Sequence, residues 1–235
     1  MSVNYKQTRT EGLPVWVKKE TAEIWQKQRS ILDSNTSIKN GVYMIDWPDF
    51  MNDKNEQKAE KLTEWHNMAS VKDSSASAVR VDMPTIWVKK DSLYDIISFL
   101  KEDKDFEYGF LADLTSADFL NSPDLEDEKK NQGKRFQMIY TLRSLKNKGA
   151  LIRVVMPINE DEKSPSLTKF WVGANWPERE VFDLMGISFE NHPNLKRILM
   201  PDNFKGHPLR KDFPLKGRGE DYLIEDLLKE RLIED

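Results

Sequence analysis

A chain of 235 residues and 27.5 kDa can bury a substantial core in one or two domains. Its formal net charge of -4 argues against a general nucleic-acid binder, whose affinity needs an excess of Lys and Arg facing phosphates. Cysteine is absent, which excludes disulfides and thiol nucleophiles and removes the thiolates that usually hold iron–sulfur clusters or structural zinc.

The polar start, residues 1–10, has no apolar leader core, and no later stretch approaches the roughly 20 apolar residues of a spanning helix. Membrane association is therefore expected only through partners. Residues 1–78 read as a partly helical N-terminal extension. Thr21 is expected to cap a helix carrying Ile24, Gln28, Ile31 and Leu32, and a second charged helix is expected around Ala59, Leu62 and Trp65. Gly41 to Asp53 and Ser70 to Ser77 read as linkers.

A core domain over residues 79–190 is expected to follow. Val79, Val81 and Met83 alternate with polar residues, and Thr85 to Val88 is a β-branched and aromatic run beyond the bend at Pro84. Asp91 or Ser92 should cap a helix whose Leu93, Ile96, Ile97 and Leu100 make one apolar stripe. Phe110 to Phe119 predicts a strand and Asn121 to Gly133 a charged loop. Phe136, Met138, Tyr140 and Leu142 alternate as a half-buried strand should, and Leu151 to Ile158 predicts the next strand. The turn residues Asn147, Lys148 and Gly149 between those two strands predict an antiparallel hairpin.

Ser166 is expected to head a short helical stretch, and Ala174 to Met185 a second helix closed by Gly186. Asn175 with Glu178 three residues on resembles a capping box, and Pro177 in the first turn loses no useful donor. The expected core face is Pro177, Val181, Leu184 and Met185, with Arg179 and Asp183 neighbours on the opposite side and Glu180 flanking.

Residues 173–215 concentrate charge beside Pro and Gly with little apolar material for a core of their own. Such a segment builds surface, its shape set by hydrogen bonds and ion pairs and by whatever covers it. Within it stand Glu178, Arg179, Glu180, Asp183, Gly186, Phe189, His192, Pro193, Arg197, Ile198 and Leu199, then Gly206, His207, Pro208, Leu209, Arg210, Lys211, Asp212, Phe213 and Pro214. In this order the residues resemble the hallmark of the C-type subunit of respiratory complex I, the 30 kDa subunit family of NADH:quinone oxidoreductase. Lys196 stands where that family usually has Arg, and Pro177 where it often has an aromatic residue. The resemblance is strongest over about 40 residues and runs more loosely back to about Val79.

The resemblance implies an α/β (α+β) fold, a mixed or antiparallel sheet with packed helices, ending over residues 191–235 in an interface loop and a short acidic tail. It implies a non-catalytic structural subunit of the peripheral arm, on the cytoplasmic side of the inner membrane, beside the D-type subunit that helps form the quinone pocket. The complex carries electrons from NADH through FMN and iron–sulfur centres to quinone, coupled to proton translocation. None of these cofactors is expected on this chain. The same hallmark also fits the equivalent subunit of a membrane-bound hydrogenase or of an oxidoreductase with another donor.

Each charged group has a plainer reading. His192 and His207 with Asp183 or Glu180 would make a metal site in a stand-alone enzyme, but each His precedes Pro and they lie 15 apart, so structural histidines are expected. Glu178, Glu180 and Asp183 serve capping and ion pairing as readily as acid catalysis. The cations Lys196, Arg197, Lys205, Arg210, Lys211, Lys216 and Arg218 lack the interleaved aromatics of a single-strand binder, which leaves a protein partner, with Arg210 and Lys211 expected to reach its carboxylates or carbonyls.

Overall fold

The computed structural model describes residues 19–35, 41–47, 83–122 and 131–217. The helix expected around Ala59 to Trp65, the expected acidic tail, the Ser70–Ser77 linker, Val79, Val81 and Arg218 lie outside these residues, as does most of the Asn121–Gly133 loop.

The centre is the predicted hairpin, β4 (Phe136–Ser144) paired antiparallel with β5 (Ala150–Ile158). Phe136, Met138, Tyr140 and Leu142 are fully buried and lie level with Ile158, Met156, Val154 and Ile152, so one face of the hairpin is continuous core. Lys148 and Gly149 turn the chain with φ of 55° and 78°; a glycine takes the second at no steric cost.

β2 (Thr85–Val88) joins β5 in parallel, and its four residues are all buried, as expected of a strand covered on both faces. β3 (Phe110–Asp118) pairs antiparallel with β4 on the other side. The sheet is therefore mixed, in the order β1-β2-β5-β4-β3. Its first strand, β1 (Val42–Asp46), lies where a linker was expected. Its hydrogen bonds go to β2 about forty residues later, and all five of its side chains are only half-buried, so no alternation marks it.

Two helices close the core. In α2 (Leu93–Glu102) the predicted stripe of Leu93, Ile96, Ile97 and Leu100 is buried, each such side chain contributing about 1.5–3 kcal/mol. Ser92 does not cap this helix with its side chain; a 3-10 turn, Lys90–Ser92, leads into it. Ser92 packs instead against Gly41, where an added Cβ would collide with the Ser92 side chain. α1 (Lys19–Ser34) already includes Thr21 rather than starting from it as a cap. It is keyed to the core by polar anchors: Trp25 Nε1 donates to Leu151 O at 3.1 Å, buried Gln28 donates to Asp105 O at 3.0 Å, and Tyr108 donates its hydroxyl hydrogen to Gln28 at 2.9 Å.

After β5 the chain forms β6 (Ser164–Pro165), a 3-10 turn (Val172–Ala174), α3 (Asn175–Met185) and β7 (Phe189–Glu190), which pairs in parallel with β6. Ser166 heads no helix; its N–H extends that small ladder to Glu190 O at 3.1 Å. Residues 191–217 then run without regular strands or helices over α3 and the end of the sheet. Among the described residues no helix is long and apolar enough to cross a membrane.

Candidate functional site

Helix α3 departs from the expected pattern at its first turn. Its N-cap is Ala174, in helical conformation after the 3-10 turn and without a side-chain cap bond, so the Asn175–Glu178 capping box does not form. Glu178 turns inward instead and is fully buried, its Oε1 accepting the Leu167 N–H at 2.6 Å. The buried residues of α3 are Glu178, Val181, Asp183 and Met185, while Pro177 and Leu184 are only half-buried. Two carboxylates thus stand where apolar side chains were expected. Each has burial enforced by chain that returns over it from elsewhere, which helical periodicity does not encode.

Asp183 organises the loop. Its Oδ2 accepts the consecutive backbone N–H groups of Ile198, Leu199 and Met200 at 3.0, 2.7 and 2.9 Å, and its Oδ1 accepts Arg197 NH1 at 2.7 Å. Burial pushes this carboxyl up, but the three N–H groups and the guanidinium outweigh it and hold it below the usual carboxylate range. Successive N–H groups on one oxygen form an anion cradle of the kind that shapes loops around a charge. The expected Arg179–Asp183 pair is not made. Arg179 stacks over Trp176 at 5.2 Å and donates to Lys196 O and Arg197 O at 2.9 and 3.2 Å.

The second half of the hallmark seals the C-terminus of α3. Gly186 takes φ 75° as the C-cap, and a Cβ there would come within 2.6 Å of both Arg210 NH2 and the His207 ring, so glycine is required twice over. His207 Nδ1–H donates to Asp183 O at 2.9 Å, and Arg197 NH2 donates to Gly206 O at 3.1 Å. Burial, with the Arg210 and Arg197 charges beside it, lowers the His207 pKa. Arg210 donates through Nε to Met185 O at 2.6 Å and through NH1 to Glu160, with its guanidinium 5.4 Å from the Phe136 ring centre. Both of these donors are engaged inside the chain rather than left for a partner.

Three residues outside the hallmark complete the anchorage. Arg135 grips buried Asp118 with both arms, Nε–Oδ1 at 2.9 Å and NH2–Oδ2 at 2.7 Å, and reaches Asp212 at 3.0 Å and Glu160 at 3.4 Å. Asp118 also accepts the Lys211 N–H at 2.9 Å. Asp118, Arg135 and Glu160 come from the end of β3, the residue before β4 and the chain beyond β5, each 50 residues or more from its bonded partner in the loop, and no local signal marks them.

The two histidines do not converge. His192 accepts the Asn194 N–H on Nδ1 at 3.1 Å and places Nε2 at 3.2 Å from Asn175 O, whereas His207 faces Asp183 and Gly186. Among the described residues no group of three or more His, Asp or Glu is placed to hold a metal ion. Glu180, Pro193, Lys211 and Asp212 are exposed or half-buried at the surface, and Pro208 is half-buried. Large apolar side chains are exposed on the turn before α3, on α3 and on the loop: Val172, Trp176, Leu199 and Leu209 are 87%, 64%, 54% and 58% exposed.

The family described as respiratory-chain NADH dehydrogenase, 30 Kd subunit, matches residues 86–219, from β2 through the loop. The C-type subunit of NADH-quinone oxidoreductase from Citrifermentans bemidjiense is 44% identical over 134 residues, covering 57% of this chain and 75% of that protein. The C-type subunit from Moorella thermoacetica is 46% identical over 140 residues, covering 59% and 85%. A C/D-type subunit of NADH-quinone oxidoreductase from Sulfurihydrogenibium sp. is 39% identical over 161 residues, covering 68% of this chain and 25% of that protein. With more than half its length inside the family match, including most of the sheet, α3 and the anchored loop, the chain belongs to the 30 Kd subunit family of respiratory-chain NADH dehydrogenase.

Proposed function

We propose that the chain is an architectural subunit of the peripheral arm of a NADH:quinone oxidoreductase, contributing no catalytic residue and docking through the surface of α3 and residues 191–217 onto a D-type subunit. The observation that carries this reading is a division of labour in and around the hallmark. Asp183, Arg197, His207 and Arg210 are engaged within the chain, while Val172, Trp176, Leu199 and Leu209, on the turn before α3, on α3 and on the loop, are exposed. Exposed apolar side chains framed by polar ones mark protein interfaces. The relative named as a C/D protein supports this choice of partner, since there the two names are joined in one protein. Iron–sulfur centres belong to other chains in this reading, because this one has no cysteine to hold them, and FMN is assigned to those chains as well. Attachment to the membrane is peripheral, through partners, on the cytoplasmic side. The named relatives favour a NADH-fed complex over the hydrogenase reading.

The test is co-purification of Trp176→Ala and Leu209→Glu variants with the other subunits, alongside denaturation of each isolated chain. A buried aromatic anchor contributes about 2 kcal/mol or more to binding, roughly a 30-fold change in Kd, so assembly should fall while folding is unchanged. Wild-type assembly by both variants refutes docking at this face. A flavin or cluster spectrum at stoichiometric level in the pure chain refutes the architectural reading itself.

A further inference from the structure

Among the buried carboxylates of α3, Asp183 is saturated with donors and Glu178 is not. Glu178 Oε1 accepts the Leu167 N–H, but its Oε2 is fully buried without a hydrogen-bond partner. Across from it lies the His192 ring, whose Nε2 is 3.9 Å away, both side chains being wholly sealed from solvent. That ring is already committed. Nδ1 accepts the Asn194 N–H, so the ring proton sits on Nε2, where it faces Asn175 O at 3.2 Å. His192 therefore ties the turn that opens the loop to the first turn of α3. The turn has little freedom of its own, since Asn191 holds φ 60° and Pro193 follows.

Among the described residues, the groups facing Glu178 from the other packed elements supply no cation. They are Tyr94 of α2, which donates to Ser166 O at 2.9 Å, Tyr140 of β4, which shares a hydrogen bond with Ser164, and Ser166 itself. Glu190 of β7 lies near Tyr94 but is paired with Lys90 at 3.0 Å. Burial accordingly pushes the Glu178 carboxyl up to about 7, against the pull of the Leu167 N–H and of the Ser166 hydroxyl nearby.

We propose that Glu178 and His192 form a one-proton latch at the root of the docking loop. With Glu178 protonated, His192 Nε2–H stays on Asn175 O and the 191–194 turn is fastened to α3. When the Glu178 proton leaves to solvent, the buried Oε2 becomes a full acceptor with the His192 Nε2–H close by, and the ring moves the ~1 Å needed to bring 3.9 Å into hydrogen-bond range. Nε2–H transfers its hydrogen bond from Asn175 O to Glu178 Oε2, His192 keeps its proton, and the turn is re-seated. The latch depends only on the packing inside this chain and holds whichever partner the loop meets.

The experiment is nuclear magnetic resonance of the full-length chain from about pH 5.5 to 8.5, following the Glu178 side-chain carboxyl carbon, the His192 ring nitrogens and the Asn194 amide. The expected result is one shared transition of all three near the Glu178 midpoint, with Nε2 protonated throughout. In Glu178→Gln the transition of the His192 and Asn194 signals at the Glu178 midpoint should be gone. A Glu178 carbon that does not titrate in this range overturns the proposal, and that reading needs no variant. So does a Glu178 transition that leaves His192 and Asn194 unmoved, or a His192 profile identical in wild type and Glu178→Gln.

Discussion

Replacing Asp183 with alanine removes the acceptor of three consecutive backbone N–H groups and of Arg197 NH1 together. Each charge-assisted hydrogen bond contributes about 1.5–3 kcal/mol, yet the four do not add, because the freed loop swings out and meets water. Removing one member of a buried ion pair costs about 3–5 kcal/mol, which bounds the effect while the loop stays closed. Asp183→Ala should therefore lower the urea unfolding free energy by about 3–5 kcal/mol, or, where the loop opens locally, expose residues 191–217 to protease. Asp183→Asn keeps an acceptor but loses the charge, and should cost about 1–3 kcal/mol. The pH dependence has a definite sign. The folded-state pKa is depressed, so the stabilisation is present above the unfolded value near pH 4 and fades as pH falls through the lower folded one. The difference between wild type and Asp183→Ala should be largest at neutral pH and shrink in acid. Measured by urea denaturation and by hydrogen exchange at Ile198, Leu199 and Met200, an Asp183→Ala protein within about 0.5 kcal/mol of wild type, with unchanged protection, refutes the cradle as the organiser of the loop.

Gly186→Ala should destabilise by about 2 kcal/mol or more in thermal melts, since it puts a Cβ both into a left-handed C-cap and against Arg210 and His207. Glu178→Gln should grow more stable relative to wild type as pH rises from about 4.5 to about 7. The folded pKa is raised, so wild type is at its full stability below the unfolded value and loses about 1–3 kcal/mol by the upper end, while the amide carries no such cost. Tyr108→Phe leaves the buried Gln28 acceptor without its donor and should cost about 1–3 kcal/mol in denaturant unfolding, loosening α1 from the core.

The hairpin, α2 and the end of α3 were legible in the residues themselves because their signals are local. Alternation at 136–142, the stripe from Leu93 to Leu100 and a glycine after Met185 each act over one element. The family was legible as well, since the order of charged, Pro and Gly residues in 178–214 is a pattern of sequence that needs no coordinates. Strand β1 was not legible, because an edge strand held mainly through its backbone carries no alternation of its own. The roles of the charged residues also had to wait for the fold. Local spacing assigned Glu178 to a cap and paired Arg179 with Asp183, but burial and partner are decided by which distant segment covers a side chain. Leu167 reaches Glu178, residues 197–200 wrap Asp183, and Arg135 and Glu160 meet Asp212 and Arg210 only when the loop crosses the sheet. A charge in water can accept many partners at little difference in energy, whereas in a closed interior it must have its particular one, and only the tertiary structure says which.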